Sequence, residues 1–137
     1  MALRQDIKCR QGINKITERI IGSAIEVHRE LGPGLLESAY EECLCYELGR
    51  ANFKCDRQIA LPVTYKDIEL NCGYKLDVVV EDVIVLELKA VERLMPIHKA
   101  QLLTYLRLCN RPIGLLINFN VPVLKEGIRR LLYDSES

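Results

Sequence analysis

The chain has 137 residues, 49% of them hydrophobic and 28% charged, with 19 basic and 19 acidic side chains. That length suits one domain with a core of its own, and zero net charge gives no general pull towards nucleic acid. No apolar run approaches the roughly 18 residues that span a bilayer, and "MALRQDIKCRQG" lacks the apolar centre of a secretory signal, so a cytoplasmic protein with no membrane contact is expected.

Residues 1–13 read as a short extension, 14–133 as one domain and 134–137 as a frayed tail. Ile16, Ile20, Ala24, Val27 and Leu31 recur at helical spacing, which predicts a first helix over 14–31. "GPG" at 32–34 stops it, because proline cannot continue the ladder and glycine tolerates the turn. A second helix follows from about Leu36, with Tyr40, Leu44 and Leu48 on one stripe, and ends near Asn52. The period then changes. "KCDRQIALPVTYK", "IELNCGYKLDVVV" and "VIVLELKA" read as three strands turning at Lys66-Asp67 and Glu81-Asp82, the first placed at a sheet edge by Pro62. Pro96 starts a third helix with Ile97, Ala100, Leu103 (or Tyr105) and Leu106 inward; "PIGLLINF" is a buried strand, and "VLKEGIRRLLY" reads as a last amphipathic helix. The strand–helix–strand unit implies a parallel pair, so the fold class is α/β: a mixed four-stranded sheet flanked by helices.

The six cysteines show no CxxC pair and no zinc spacing, and the two histidines are unpaired, so reduced thiols are expected and a zinc site is not. Charge is unevenly spread. Residues 37–87 carry eleven acids and five bases, whereas 89–131 carry eight bases and two acids. Such a split suits a cation site beside a phosphate-binding surface, although charge alone favours ordinary solvated helix faces.

"YKLDVVVEDVIVLELKA" poses a sharper question. A strand this rich in Val, Ile and Leu is buried, and an unpaired carboxylate there costs several kcal/mol. Asp77, Glu87 and Lys89 either offset one another as a structural pair or bind something. Alternation puts Glu87 and Lys89 on one face with Val83 and Val85. A two-residue turn at Glu81-Asp82 would set Leu76 opposite Glu87 and turn Asp77 away; a shared site requires an odd loop centred on Asp82, or a bulge. Two converging carboxylates would make an oxygen-only cation site of the kind Mg²⁺ or Mn²⁺ takes, with Lys89 near a phosphoryl group. Glu37 lies along the apolar stripe of the second helix, where it serves a site or simply answers the helix dipole. Gln101 and Tyr105, four apart, can touch the same object. His98 starts their helix and could reach a phosphate or an ion's outer shell.

In order, Gly34-x-x-Glu37-x-x-Tyr40, Asp77, Glu87-x-Lys89 and Gln101-x-x-x-Tyr105 resemble the GxxExxY family, small proteins of the PD-(D/E)xK nuclease-like superfamily. The likeness runs from about Ile16 to Leu132 and includes "AIEVHRELGPGLLESAY", "ELKAVE" and "QLLTYL". It implies a restriction-endonuclease-like αβββαβ core and a Mg²⁺-dependent (or Mn²⁺-dependent) nuclease. Asp77 and Glu87 would be metal ligands, Glu37 a third acid acting directly or through water, and Lys89 the catalytic lysine. Tyr40, His98, Gln101 and Tyr105 would bind substrate or support the ligands. Leu76 stands where the superfamily label has proline. Nucleic acid is the partner this implies, and a homodimer would double the basic 89–131 surface. The alternative is a module that keeps the fold and binds nucleic acid or protein without cutting.

Overall fold

The charged hairpin lies at the heart of the main sheet, and the way the chain builds that sheet decides what surrounds it. The computed structural model describes residues 10–134; Cys9, with the rest of 1–9, and the tail residues 135–137 lie outside the described residues. Helix α1 (Arg10–Leu31) begins before the expected residue 14 and buries Ile16, Ile20, Ala24 and Val27. Helix α2 (Glu37–Arg50) buries the expected Tyr40, Leu44 and Leu48, and Asn52 follows in the left-handed conformation at φ 67°.

The first two expected strands each divide. Strand β1 (Cys55–Ala60) stops before Pro62; β2 (Val63–Tyr65) and β3 (Ile68–Leu70) turn at Lys66-Asp67 into a separate two-stranded sheet; β4 (Lys75–Val80) then rejoins β1. Strand β5 (Ile84–Lys89), helix α3 (Pro96–Cys109) and strand β6 (Ile113–Asn118) form the crossover unit, and β5 pairs with β6 in parallel as expected. The main sheet runs β1-β4-β5-β6-β7, with β1 at its edge.

That fifth strand corrects the sequence reading. Residues expected as a final helix form a short 3₁₀ turn (Leu124–Gly127) and β7 (Ile128–Leu132), antiparallel to β6. Every residue of β6 is buried, so its far edge needs hydrogen-bonding partners that a helix could not supply. A Cβ on Gly127 would stand 2.3 Å from the Asn118 carbonyl oxygen, so only glycine lets the chain swing this closely onto the sheet.

Two cores flank the sheet. Val78, Val80, Ile84, Leu86 and Leu88 pack with Ile113, Leu115 and Ile117 against α1 and α2. Val79, Val85 and Leu116 pack against α3. The inward side of α3 is Leu102, Tyr105 and Leu106 rather than the expected Ile97, Ala100 and Leu103. The helix is rolled because Gly114 leaves a hollow on β6 that Leu102 fills, its Cδ2 3.0 Å from where a Cβ would be. Ile97 is thereby left 68% exposed. Among the described residues no helix is long and apolar enough to cross a membrane.

Candidate active site

The loop joining β4 to β5 has an odd number of residues, Glu81 to Val83, and is centred on Asp82. Glu81 and Asp82 take left-handed φ of 54° and 60°, and the Val83 N–H closes the turn on the Val80 carbonyl at 3.1 Å. The register is Val80↔Ile84, Val79↔Val85 and Val78↔Leu86, so the next position pairs Asp77 with Glu87. The odd loop required for a shared site is present.

At that position side chains take over the ladder. The Leu88 N–H donates to Asp77 Oδ2 at 2.9 Å, and the Asp77 N–H points to Glu87 Oε1 at a long 3.4 Å. Backbone donors that would have bound carbonyls hold carboxylates instead. Lys89 is half-buried two residues beyond Glu87, on the same side of β5. Glu87 is only 5% exposed. Burial, then the neighbouring Asp77 charge, pushes its carboxyl up to about 8, against the weaker pull of the Asp77 N–H and Lys89. Burial raises Asp77 as well; the Leu88 N–H opposes this, and the charges of Glu41 and Glu37 add to it. Glu37 is exposed in the first turn of α2, and its charge reaches both hairpin carboxylates.

On the other flank, Gln58 falls between the pairs Arg57↔Val78 and Ile59↔Leu76, opposite Asp77, and the β1–β4 ladder skips it. Gln58 has φ 52°. Its Nε2 donates to Glu41 Oε1 at 2.7 Å, while Arg57 clamps Glu41 Oε2 through Nε at 3.0 Å and Nη2 at 2.8 Å. Glu41, 7% exposed, is thus a second helix-borne carboxylate whose charge reaches Asp77. The sequence reading passes over both residues. Glu41 carried a usable signal, one helical turn after Glu37 on the flank of the Tyr40 stripe; Gln58 carried none, since its role rests on a backbone kink.

A left-handed φ at a residue with a Cβ costs about 1 kcal/mol. Gln58→Ala and Gln58→Gly remove the same hydrogen bond, so the glycine variant should be the more stable by about 1 kcal/mol in urea titrations. Equal stabilities would mean that the kink carries no strain.

The remaining candidate residues separate by what they touch. Gln101 stands one helical turn before Tyr105, whose hydroxyl is pushed up by burial first and then by the Glu87 charge, so this pair borders the carboxylates. Tyr40 is fully buried and stacked on Phe119 at 4.4 Å; it donates to the Gly32 carbonyl at 2.6 Å and accepts from the Leu35 N–H at 3.1 Å. It ties down the turn that leads into Glu37. His98 Nδ1 accepts from the Met95 N–H at 2.9 Å, capping α3. Among the described residues no three carboxylate, thiol or imidazole side chains form a ready ion shell, so Glu37 does not close in on the Asp77–Glu87 pair.

An αβββαβ core with paired acids and a lysine on its central hairpin defines a restriction-endonuclease-like domain. A family model described as the PD-(D/E)XK nuclease superfamily matches residues 14–131, and the chain belongs to that superfamily. Among curated proteins and among solved structures, none matches the chain.

Proposed function

We propose that the protein is a Mg²⁺- or Mn²⁺-dependent nuclease of the PD-(D/E)xK type, hydrolysing phosphodiester bonds of nucleic acid. The observation that carries this reading is the meeting of Asp77 and Glu87 where side chains replace the strand ladder, with Glu87 pushed up to about 8. A buried pair of acids that resists ionisation is a poor structural device and a good receptor for a cation. Both donors are hard oxygens, which fits Mg²⁺ or Mn²⁺ better than zinc. Nucleases of this superfamily typically use divalent metals. A divalent ion between these carboxylates would supply positive charge to the phosphate and acidify a water.

The chain's own groups would do the rest. Asp77 is oriented by the Leu88 N–H and Glu87 by the Asp77 N–H, so neither carboxylate has to reorganise when phosphate arrives. Glu37, exposed at the start of α2, would reach the site through water. Attack of water on phosphorus piles negative charge on the non-bridging oxygens, and the Lys89 ammonium beside Glu87 would meet it. Gln101 would fix the Tyr105 hydroxyl at the border of the site.

A non-catalytic binding module keeps one observation in its favour, the absence of a third ligand close to the pair among the described residues. The two readings part in a cleavage assay on labelled single- and double-stranded DNA and RNA with Mg²⁺, Mn²⁺ or EDTA. Cutting that EDTA abolishes is the expected result. No cutting of any substrate, together with no Mg²⁺ or Mn²⁺ uptake by calorimetry, would leave the binding module.

A further inference from the structure

We propose that the groove between α3 and the β2–β3 hairpin is a stacking slot for unpaired bases, so that the strand presented to the carboxylates is single. This rests on the nuclease reading and narrows its substrate. The groove encloses about 470 Å³, within the usual range for a small-molecule site. Its walls are Val63 of β2, Tyr74 ahead of β4, and α3, which contributes the exposed Ile97 and Arg107, the half-buried Gln101 and the buried Tyr105.

Three features give this groove a ligand chemistry. First, one aromatic face is uncovered: Tyr74 is 47% exposed, its ring tilted 60° to that of the buried Tyr105 with the centres 6.1 Å apart. Its backbone is fixed, since the Tyr74 carbonyl accepts the Leu61 N–H at 2.8 Å. Second, the roll of α3 that buries Leu102 turns Ile97 out into the same groove, leaving an apolar wall opposite polar groups. Thr64 and Thr104 offer hydroxyls to a base edge, and the Arg107 guanidinium stands exposed for a phosphate. Third, the groove lies on the side of the sheet that carries the carboxylates, because Tyr105 packs against Val79 and Val85, which share one face of the hairpin with Asp77 and Glu87. Tyr105 lines it and also feels the charges of Glu87 and Asp77.

An exposed tyrosine ring with a cation and a few hydroxyls nearby suits an unpaired base, which stacks with little regard to sequence. Bases inside a duplex have both faces covered by their neighbours and reach such a platform only after being flipped out at a cost. A strand with a base stacked on Tyr74 would pass Tyr105 on its way towards the carboxylate pair.

The test uses Glu87→Gln protein, in which turnover is blocked, and a thymidine oligonucleotide carrying one central 2-aminopurine, free or annealed to its complement. The single strand should bind with quenching of the 2-aminopurine fluorescence. Tyr74→Ala added to that background should weaken binding about tenfold and remove the quenching. Tyr74→Phe should keep both, and the duplex should bind at least about tenfold more weakly than the single strand. Because Tyr74 is a surface residue, thermal melts of the variants should stay close to the parent, separating lost stacking from lost structure. Binding and quenching unchanged in Tyr74→Ala, or a duplex bound as tightly as the single strand, would overturn the slot. If the wild-type protein then cuts duplex regardless of Tyr74, the nuclease reading survives without it. If neither form of nucleic acid is bound or cut, both fall together.

Discussion

Glu87→Gln raises the thermal midpoint of the ion-free protein, and the gain grows as pH rises from 5 to 8. The sign follows from the direction of the shift. The folded carboxyl titrates at about 8 and an ordinary glutamate at 4.5, so between those values the folded state holds a proton that the unfolded state has released. Stability from this group is therefore complete below pH 4.5 and is lost as pH climbs through 8. Glutamine keeps the shape and the Oε1 acceptor for the Asp77 N–H but never has to ionise. The shared titration with Asp77 spreads the effect, so a gain on the order of 3 kcal/mol at pH 8 is a fair expectation, or roughly 10 °C in midpoint. Melts in EDTA between pH 4 and 9 measure it directly. A variant less stable than the wild type at pH 8, or a difference that does not vary with pH, would mean that Glu87 is an ordinary structural carboxylate.

Lys89→Ala should do the opposite: little to stability, much to rate. Lys89 is only half-buried, and among the described residues it has no carboxylate within salt-bridge distance. Its removal leaves no orphaned acid that it had been pairing. Its proposed work is done only when charge builds on the phosphoryl oxygens, and losing one such group typically costs about 100- to 1000-fold. The loss should fall on kcat with KM nearly unchanged, because the interaction is absent from the ground state. Cleavage kinetics at saturating substrate would show it. A large rise in KM with kcat intact would recast Lys89 as a residue that holds the strand.

How much of this was legible in the sequence depends on which force decided each piece. Alternation along "VIVLELK" placed Glu87 and Lys89 together because the strand period is strict and every residue of β5 is at least half-buried. Parity decided Asp77: a shared site demanded an odd loop on Asp82, and the loop is odd. Elsewhere, distant contacts overrode local pattern. "VLKEGIRRLLY" satisfies a helix as well as a strand, and what selects the strand is the open edge of β6 together with the close pass of Gly127 over Asn118. Helix α3 carries apolar residues on more than one side, so its roll was settled by the hollow at Gly114. Gln58 could not have been found, because neither its left-handed backbone nor its bond to Glu41 leaves a mark in residue order.

The central claim is that acids are buried on this hairpin for chemistry and at the expense of stability. Its most direct measurement sets wild type and Glu87→Gln side by side, recording cleavage of a labelled oligonucleotide in Mg²⁺ with thermal midpoints on the same preparations. The expected result is a wild type that cuts and a variant that is more stable yet cuts at least about 100-fold more slowly. A Glu87→Gln protein that cuts as fast as the wild type would contradict it.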